Sequence, residues 1–156
     1  MSIEAQAAEF LAQKRIAVVG VSRKQGTGNG IFKALRKRGY TVVPVNPKAK
    51  EVEGATCYPD LKSISDSVDA AVIVTSPEVA EKVMHDCVEA GVSHVWMHHN
   101  ALFGAKSSSV SDAATEYGRE HGVDVIAGGC PLMFGEGADP GHRFMCWLLR
   151  VTRKLP

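Results

Sequence analysis

The chain has 156 residues, a length that suits one domain able to bury most of its apolar surface. Its 18 Lys and Arg residues nearly balance 17 Asp and Glu residues, which argues against broad, non-specific binding of nucleic acid. No apolar run approaches the length of a membrane span, so membrane insertion is not expected. The four cysteines lack paired short spacings, which favours reduced thiols and a cytoplasmic protein over a disulfide framework or a zinc site.

The first 14 residues are predicted to form an amphipathic helix. Apolar side chains recur there at helical spacing and acidic residues are interspersed, which is not the pattern of a secretory signal. The apolar positions are Ile3, Ala7, Phe10 and Leu11.

Residues 15–39 are predicted to form a buried strand, a glycine-rich turn and a helix. The apolar run 16–19 contains β-branched residues, which suit a strand buried on both faces. The turn from Gly20 to Gly30 is rich in glycine, hydroxyl groups and positive charge, and Gly39 is placed to end the helix that follows. Strand, turn and helix in this order direct backbone N–H groups and a helix dipole to one spot, where a phosphate is expected.

Four further strands are predicted at 40–47, 68–75, 93–98 and 123–127. Pro44 suggests that the first of these has an edge or irregular position. Residues 50–67 have no clear period and are predicted to be a connector, Ser76 and Pro77 mark the start of a helix, and Ser107 or Ser109 caps another to about residue 121. This alternation predicts a Rossmann-like, doubly wound α/β fold with a mostly parallel sheet and helices on both faces.

The carboxyl ends of these strands form one rim, which is where open α/β sheets bind ligands. An NAD site would have the pattern G-x-G-x-x-G after the first strand and an acid at the end of the second. Here the corresponding residues are Gly20, Ser22 and Gln25, and the second strand ends at Asn46, followed shortly by Lys48. A lysine in place of the acid favours a nucleotide with an additional ribose phosphate, either coenzyme A or NADP, and the composition leaves both open.

Several segments resemble the small stand-alone CoA-binding proteins, namely 20–27 (GVSRKQGT), 44–48 (PVNPK), 75–77 (TSP) and 95–97 (VWM). Those proteins are similar in turn to the N-terminal domain of the succinyl-CoA ligase α subunit. The resemblance covers about residues 15–131 and implies a Rossmann-like domain that binds coenzyme A or an acyl-CoA. The phosphohistidine of the ligase has no counterpart in this sequence, so ligase activity by this chain alone is not expected.

The resemblance also implies a role for each segment of the rim. The turn after the first strand would hold the CoA phosphates, the end of the second strand would border the adenosine, and the remaining segments would lie along the nucleotide or the pantetheine. The implied binding residues are Gly20, Ser22, Arg23, Lys24, Gln25, Thr27, Gly28, Pro44, Asn46, Pro47, Lys48, Lys50, Thr75, Ser76, Pro77, Met97, His98 and His99.

For two groups of these residues, the chemistry of the side chain or backbone also predicts a specific role. Lys48, together with Lys50, is expected to bind the 3′-phosphate of CoA, because the second strand of such a fold ends beside the adenosine ribose. Gly20 and Gly28 are expected to let the backbone approach phosphate closely, so that valine at either position weakens binding while the domain stays folded.

No nucleophile, base and orienting group are brought together by spacing, so a non-catalytic binding module is predicted. The alternatives are an NADP-binding oxidoreductase and an interaction subunit of an acyl-CoA ligase-like complex. His94 and His98 share a strand face but would lie about 13 Å apart, too far for one metal ion. No acidic or cysteine cluster lies nearby in the sequence, so no metal site is expected. Cys130 is either a buried small hydrophobe or a thiol near the CoA sulfur.

Residues 132–156 are predicted to be an extension of the single domain that contains a helix. Apolar residues at helical spacing would either pack on the domain or form the surface of a homodimer. These residues are Phe144, Trp147, Leu148, Val151 and Leu155.

Overall fold

The computed structural model of the protein describes residues 1–101 and 107–155. The helices are α1 (Ile3–Ala12), α2 (Thr27–Lys37), α3 (Pro77–Glu89), α4 (Asp112–Glu120) and α5 (Pro140–Val151), with a 3₁₀ turn at Pro131–Met133. The strands are β1 (Arg15–Val19), β2 (Thr41–Val45), β3 (Glu51–Val52), β4 (Ala55–Thr56), β5 (Ala70–Ile73), β6 (His94–Met97) and β7 (Asp124–Ala127).

Five of these strands form a parallel sheet in the order β2-β1-β5-β6-β7. The chain therefore adds β2 on one side of β1 and the later strands on the other side. This reversal of direction between β1 and β5 is the switch point of a doubly wound fold, where the loops that leave two adjacent strands diverge. The predicted fold class is confirmed.

Two hydrophobic cores lie on opposite faces of the sheet, because neighbouring residues of each buried strand point to opposite sides. On β1, Ile16 and Val18 belong to the core under α1, α2 and α5, whereas Ala17 and Val19 belong to the core under α3 and α4. Trp96 fills the first core, with its ring 5.3 Å from the ring of Phe10 and its indole N–H donated to a backbone carbonyl at 2.8 Å. Both faces of the sheet are thus closed by helices.

The start of α4 differs from the prediction that Ser107 or Ser109 would cap it. Ser111 is the N-cap, and its hydroxyl oxygen accepts a hydrogen bond from the N–H of Ala114 at 3.2 Å. Ser109 instead accepts a hydrogen bond from the N–H of Thr75 at 2.9 Å, across the rim of the sheet. A hydroxyl that already serves the β5–α3 connection is not available as a helix cap.

The predicted connector contains a small hairpin formed by β3 and β4 and an extended residue, Tyr58, that follows it. Tyr58 pairs with the outer edge of β2: its N–H donates to the carbonyl of Pro44 at 3.1 Å, and its carbonyl accepts from the N–H of Asn46 at 2.9 Å. β2 is an edge strand of the five-stranded sheet. The edge position inferred from Pro44 is therefore confirmed.

The C-terminal segment is attached to the first core. The guanidinium group of Arg38 donates to the carbonyls of Leu132 at 2.8 Å and Phe134 at 3.1 Å. α5 then buries Cys146 and Leu149. Of the apolar residues predicted from helical spacing, Phe144, Trp147 and Val151 point outward, exposed by 62%, 55% and 61%, whereas Leu155 packs against the first core.

Across residues 1–101 and 107–155, no helix has both the length and the hydropathy that a membrane span requires.

Candidate functional site

The site is centred on Gly20, where the chain leaves β1 at the switch point. Gly20 has a φ of +103°, and its N–H donates to the carbonyl of Val45 at 3.0 Å. A Cβ atom at this position would lie 2.0 Å from the carbonyl oxygen of Val74. The backbones of the two diverging loops are therefore in direct contact, and only glycine fits at this position.

The first turn of α2 packs equally closely on the end of β1. A Cβ atom on Gly28 would lie 2.5 Å from the carbonyl oxygen of Gly20. Valine at either glycine would therefore displace backbone, so these variants would disturb the local structure as well as the approach of a phosphate. The two glycines hold the N-terminus of α2 against the switch point.

Two buried or half-buried amides hold the loop between Gly20 and α2 in place. The side chain of Asn29 accepts from the N–H of Ser22 at 3.0 Å and donates to the carbonyl of Ser22 at 2.8 Å. It also donates to the carboxylate of Glu53 at 2.8 Å. Asn46 donates to the carbonyl of Val21 at 2.7 Å from the end of β2. The loop is thus fixed from two sides.

Asn29 was not among the residues predicted for the site. Its side chain is only 2% exposed, although its neighbours in the first turn of α2, Thr27 and Gly30, are exposed. The sequence contains one signal for it, because an amide in the first turn after a glycine-rich loop lies within reach of the loop backbone.

A first cavity of about 410 Å³ lies between the ends of β1 and β2 and the start of α3. Apolar side chains, among them Leu61 and Val79, line it together with Pro47. Two lysines, Lys62 and Lys82, also line this cavity. Lys62 pairs with Glu89, so its charge is partly compensated.

A second cavity of about 520 Å³ lies on the other side of Gly20. Thr27 and Gly28 of α2 line it together with Ser76 and Pro77 at the start of α3. The N-termini of two helices therefore border the same space, and both contribute partial positive charge to it. Gly20 and Thr75 line both cavities, so the two spaces meet at the switch point.

Half of the predicted site residues line these two cavities. They are Gly20, Thr27, Gly28, Asn46, Pro47, Thr75, Ser76, Pro77 and His98. Ser22, Arg23, Lys24 and Gln25 form the loop above them, where the hydroxyl of Ser22 accepts from the N–H of Lys24 at 3.1 Å.

The other predicted residues lie outside both cavities. Lys48 and Lys50 are exposed next to Pro47, and the N–H of Lys48 donates to the side-chain carbonyl of Asn46 at 2.8 Å. Pro44 and Met97 are buried within their strands, and Met97 belongs to the second core. The side chain of Met97 is therefore not exposed at the rim.

His98 lines the second cavity at the end of β6 and is only 3% exposed. Burial, and next the neighbouring His99, lower the pKa of its imidazole to about 4. The ring is therefore neutral at neutral pH, with one nitrogen that donates and one that accepts. A neutral imidazole in this space suits polar, uncharged groups of a ligand.

His99 lies on the other side of the strand end, where it lines a separate cavity of about 300 Å³ with Gly128 and Gly129. Cys130 follows these glycines and is 8% exposed. Burial raises the pKa of the Cys130 thiol to about 11. The thiol is protonated at neutral pH, which favours its interpretation as a buried small hydrophobe over a reactive group.

The doubly wound sheet, with ligand-sized cavities at its switch point, defines a Rossmann-like α/β protein. The chain belongs to the CoA binding domain family, whose family model matches residues 14–136. This match confirms the resemblance found in the sequence.

Known proteins with related sequences or structures include both long and short chains. ADP-forming acetate-CoA ligase I of Archaeoglobus fulgidus is 33% identical over 120 residues, which are 75% of this chain but 18% of the ligase. The uncharacterized protein YneT of Bacillus subtilis is 30% identical over 118 residues, covering 75% of this chain and 82% of YneT. A hypothetical protein from Pyrococcus horikoshii OT3 has a structure with a TM-score of 0.75 at 29% identity, covering 83% of this chain and 87% of that one.

The chain thus spans less than a fifth of the length of the Archaeoglobus ligase.

Proposed function

We propose that this protein binds coenzyme A or an acyl-CoA across the two cavities and acts as a non-catalytic binding module. The observation that carries this proposal is the meeting of both cavities at Gly20 and Thr75, beside two helix N-termini, in a chain of the CoA binding domain family. Coenzyme A is elongated and carries a charged diphosphate near its middle. Its shape matches two cavities that meet beside helix N-termini, where an anion is stabilised.

The diphosphate lies at the N-terminus of α2 in this proposal. The N-cap of α2 is Gly26, which has no side chain to bond the first N–H groups of the helix. These donors are therefore available to phosphate oxygens, and the positive end of the helix dipole favours an anion there. Arg23 and Lys24 add charge from the exposed loop above.

The adenosine occupies the first cavity. Pro47, Leu61 and Val79 supply apolar surface on which a flat base can lie. Lys48 and Lys50 follow Pro47 at the exposed end of the strand, where the 3′-phosphate of the ribose is expected. Lys82 lines the same cavity and is a further cation near this position.

The pantetheine occupies the second cavity. Its amide groups are polar and uncharged, which matches the neutral imidazole of His98. Ser109 lies beside it and holds the backbone of Thr75 in place. The same environment does not supply a base for thiol chemistry, because an imidazole with a pKa of about 4 holds a proton too weakly at neutral pH.

An interaction module within an acyl-CoA ligase-like complex is the second candidate function. It is favoured by the exposed apolar face of α5 and by the similarity to a portion of an ADP-forming acetate-CoA ligase. The two proposals are compatible, since a subunit that binds the CoA can present it to a catalytic domain on another chain.

Isothermal titration calorimetry with CoA, NAD and NADP tests the proposal. CoA is expected to bind more tightly than either dinucleotide, and equal or tighter binding of NAD or NADP would refute it. Val79→Asp places a negative charge in the first cavity and is expected to weaken CoA binding at least about tenfold, or ~1.4 kcal/mol.

The matched control for Val79→Asp is Val151→Asp. Both valines are exposed on helices, by 48% and 61% respectively, but Val151 lies on α5, in the other helical layer of the fold. CoA affinity should be unchanged in this variant. Equal losses in the two variants would show that the effect of Val79→Asp is not local to the cavity.

A further inference from the structure

A second group of ligand-type side chains lies at the amino-terminal end of the sheet, opposite the rim. Glu9 belongs to α1, and His94 and Asp124 are the first residues of β6 and β7. His94 and Asp124 are paired in register between the two strands. One donor atom from each of the three side chains lies within 4.8 Å of the others.

The spacing of the three groups is too long for direct pairing and short enough for one bridging ion. His94 forms no ion pair with either carboxylate, and within the described chain no Lys or Arg pairs with Glu9 or Asp124. Two carboxylates therefore face each other without a protein cation between them. A cation bound between them would interact favourably with both.

The imidazole of His94 is held by a neighbouring hydroxyl. Ser93 donates its single hydroxyl proton to the carbonyl of Asp69 at 3.2 Å, and its oxygen lies 2.8 Å from Nδ1 of His94. With the hydroxyl proton on this carbonyl and the His94 proton on Nδ1, the Ser93 oxygen accepts from Nδ1–H and Nε2 keeps its lone pair. Metal-binding histidines are commonly held in this tautomer by an outer hydrogen bond of the same kind.

We propose that Glu9, His94 and Asp124 bind one divalent transition-metal ion, with Zn²⁺ as the probe that best matches the donors. One imidazole nitrogen and two carboxylate oxygens are ordinary zinc ligands, with the fourth position left to water. Ligands of a tetrahedral zinc ion at ~2.0–2.2 Å lie about 3.4 Å apart, so donors within 4.8 Å of one another must approach by up to about 1.4 Å. The exposed side chain of Glu9 can supply most of that movement.

The ion would tie α1 to the sheet, because Glu9 is the one ligand that lies outside the strands. Imidazole is a poor ligand for Mg²⁺ and Ca²⁺, which prefer oxygen, so these ions should bind far more weakly. The site lies at the opposite end of the strands from the proposed CoA cavities and is independent of them.

The test uses the full chain without CoA. Calorimetry should show one Zn²⁺ per chain, and Co²⁺ should give visible absorption without a sulfur-to-cobalt band, which separates this site from cysteine. Glu9→Gln and His94→Gln should each weaken Zn²⁺ binding at least about tenfold. Zn²⁺ should also raise the melting temperature of the wild type but not of either variant.

The matched control is His142→Gln, which removes another histidine beside a carboxylate, that of Asp139. Zn²⁺ binding should not change in this variant. Absence of stoichiometric binding by the wild type would overturn the proposal. Binding that survives both Glu9→Gln and His94→Gln, or that His142→Gln abolishes, would overturn it as well.

Discussion

Replacing Asn29 with alanine should destabilise the loop that leaves β1. The side chain makes three hydrogen bonds, two to the backbone of Ser22 and one to the carboxylate of Glu53. At 2% exposure it has almost no contact with solvent. Alanine removes all three bonds and leaves the Ser22 N–H and carbonyl without their partner.

The size of the effect follows from the kinds of bond lost. A neutral hydrogen bond contributes ~0.5–1.5 kcal/mol and one to a charged group ~1.5–3 kcal/mol, so the full loss is about 2.5–6 kcal/mol. Ser22 is only half-buried and can be reached by water after the change. We therefore expect a decrease in the free energy of unfolding near the lower end of this range, about 3 kcal/mol.

Urea unfolding, followed by circular dichroism, measures this decrease from the midpoint and slope of the transition. Gln13→Ala is the matched control, because it removes an exposed amide with one backbone hydrogen bond at 3.0 Å. The control should change stability by less than about 0.5 kcal/mol. Equal stabilities of Asn29→Ala and Gln13→Ala would refute the role assigned to Asn29 in holding the loop.

Three further outcomes are expected. Lys48→Ala with Lys50→Ala should weaken CoA binding about ten- to 150-fold, for one charged hydrogen bond of ~1.5–3 kcal/mol, yet hardly change dephospho-CoA binding; equal losses in titrations at fixed salt would place these lysines elsewhere. The pKa of His98 is lowered from 6.5 to about 4 in the folded protein. As the pH falls, the unfolded state therefore takes up a proton at this imidazole before the folded state does. Relative to His98→Gln, the free energy of unfolding of the wild type should therefore fall by up to roughly 3 kcal/mol between pH 6.5 and 4. Urea unfolding at a series of pH values measures this, and the same pH dependence in both proteins would contradict it. Gly118→Ala places a Cβ 2.8 Å from Met84 and Val125 and should lower the free energy of unfolding by about 1–3 kcal/mol. At Gly30 an added Cβ meets no atom within 4 Å, so Gly30→Ala should not lower it.

The sheet and its helices were predictable because each signal for them is local. Runs of β-branched residues marked the strands, and Ser76 with Pro77 marked the start of α3, where the hydroxyl of Ser76 accepts from the N–H of Val79. The four later strands of the sheet are shorter than the predicted runs, since flanking residues such as Val68 and Val123 are buried without joining the ladder. The prediction that Ser109 caps α4 was wrong because its hydroxyl accepts a hydrogen bond from Thr75, which is distant in the sequence.

The position of the site could be predicted from the sequence, but the contacts that hold its loops in place could not. The rim residues follow from strand order alone, since parallel strands end at the same edge. By contrast, the contacts of Gly20 with Val74 and of Asn29 with Glu53 join segments that sequence spacing does not relate. The grouping of Glu9 with His94 depends in the same way on how α1 packs on the sheet.

The pairing of Tyr58 with β2 has a consequence for how copies of this protein can meet. An outer strand usually offers a row of unpaired backbone groups to any passing chain, which is a route to aggregation. Here the carbonyl of Pro44 and the N–H of Asn46 are already bonded to Tyr58, and proline has no N–H to offer. On the outer edge of β2, only the backbone groups of residues 41–43 remain for pairing with another chain. This stretch is too short to template an added strand. Self-association by sheet extension is therefore disfavoured at this border.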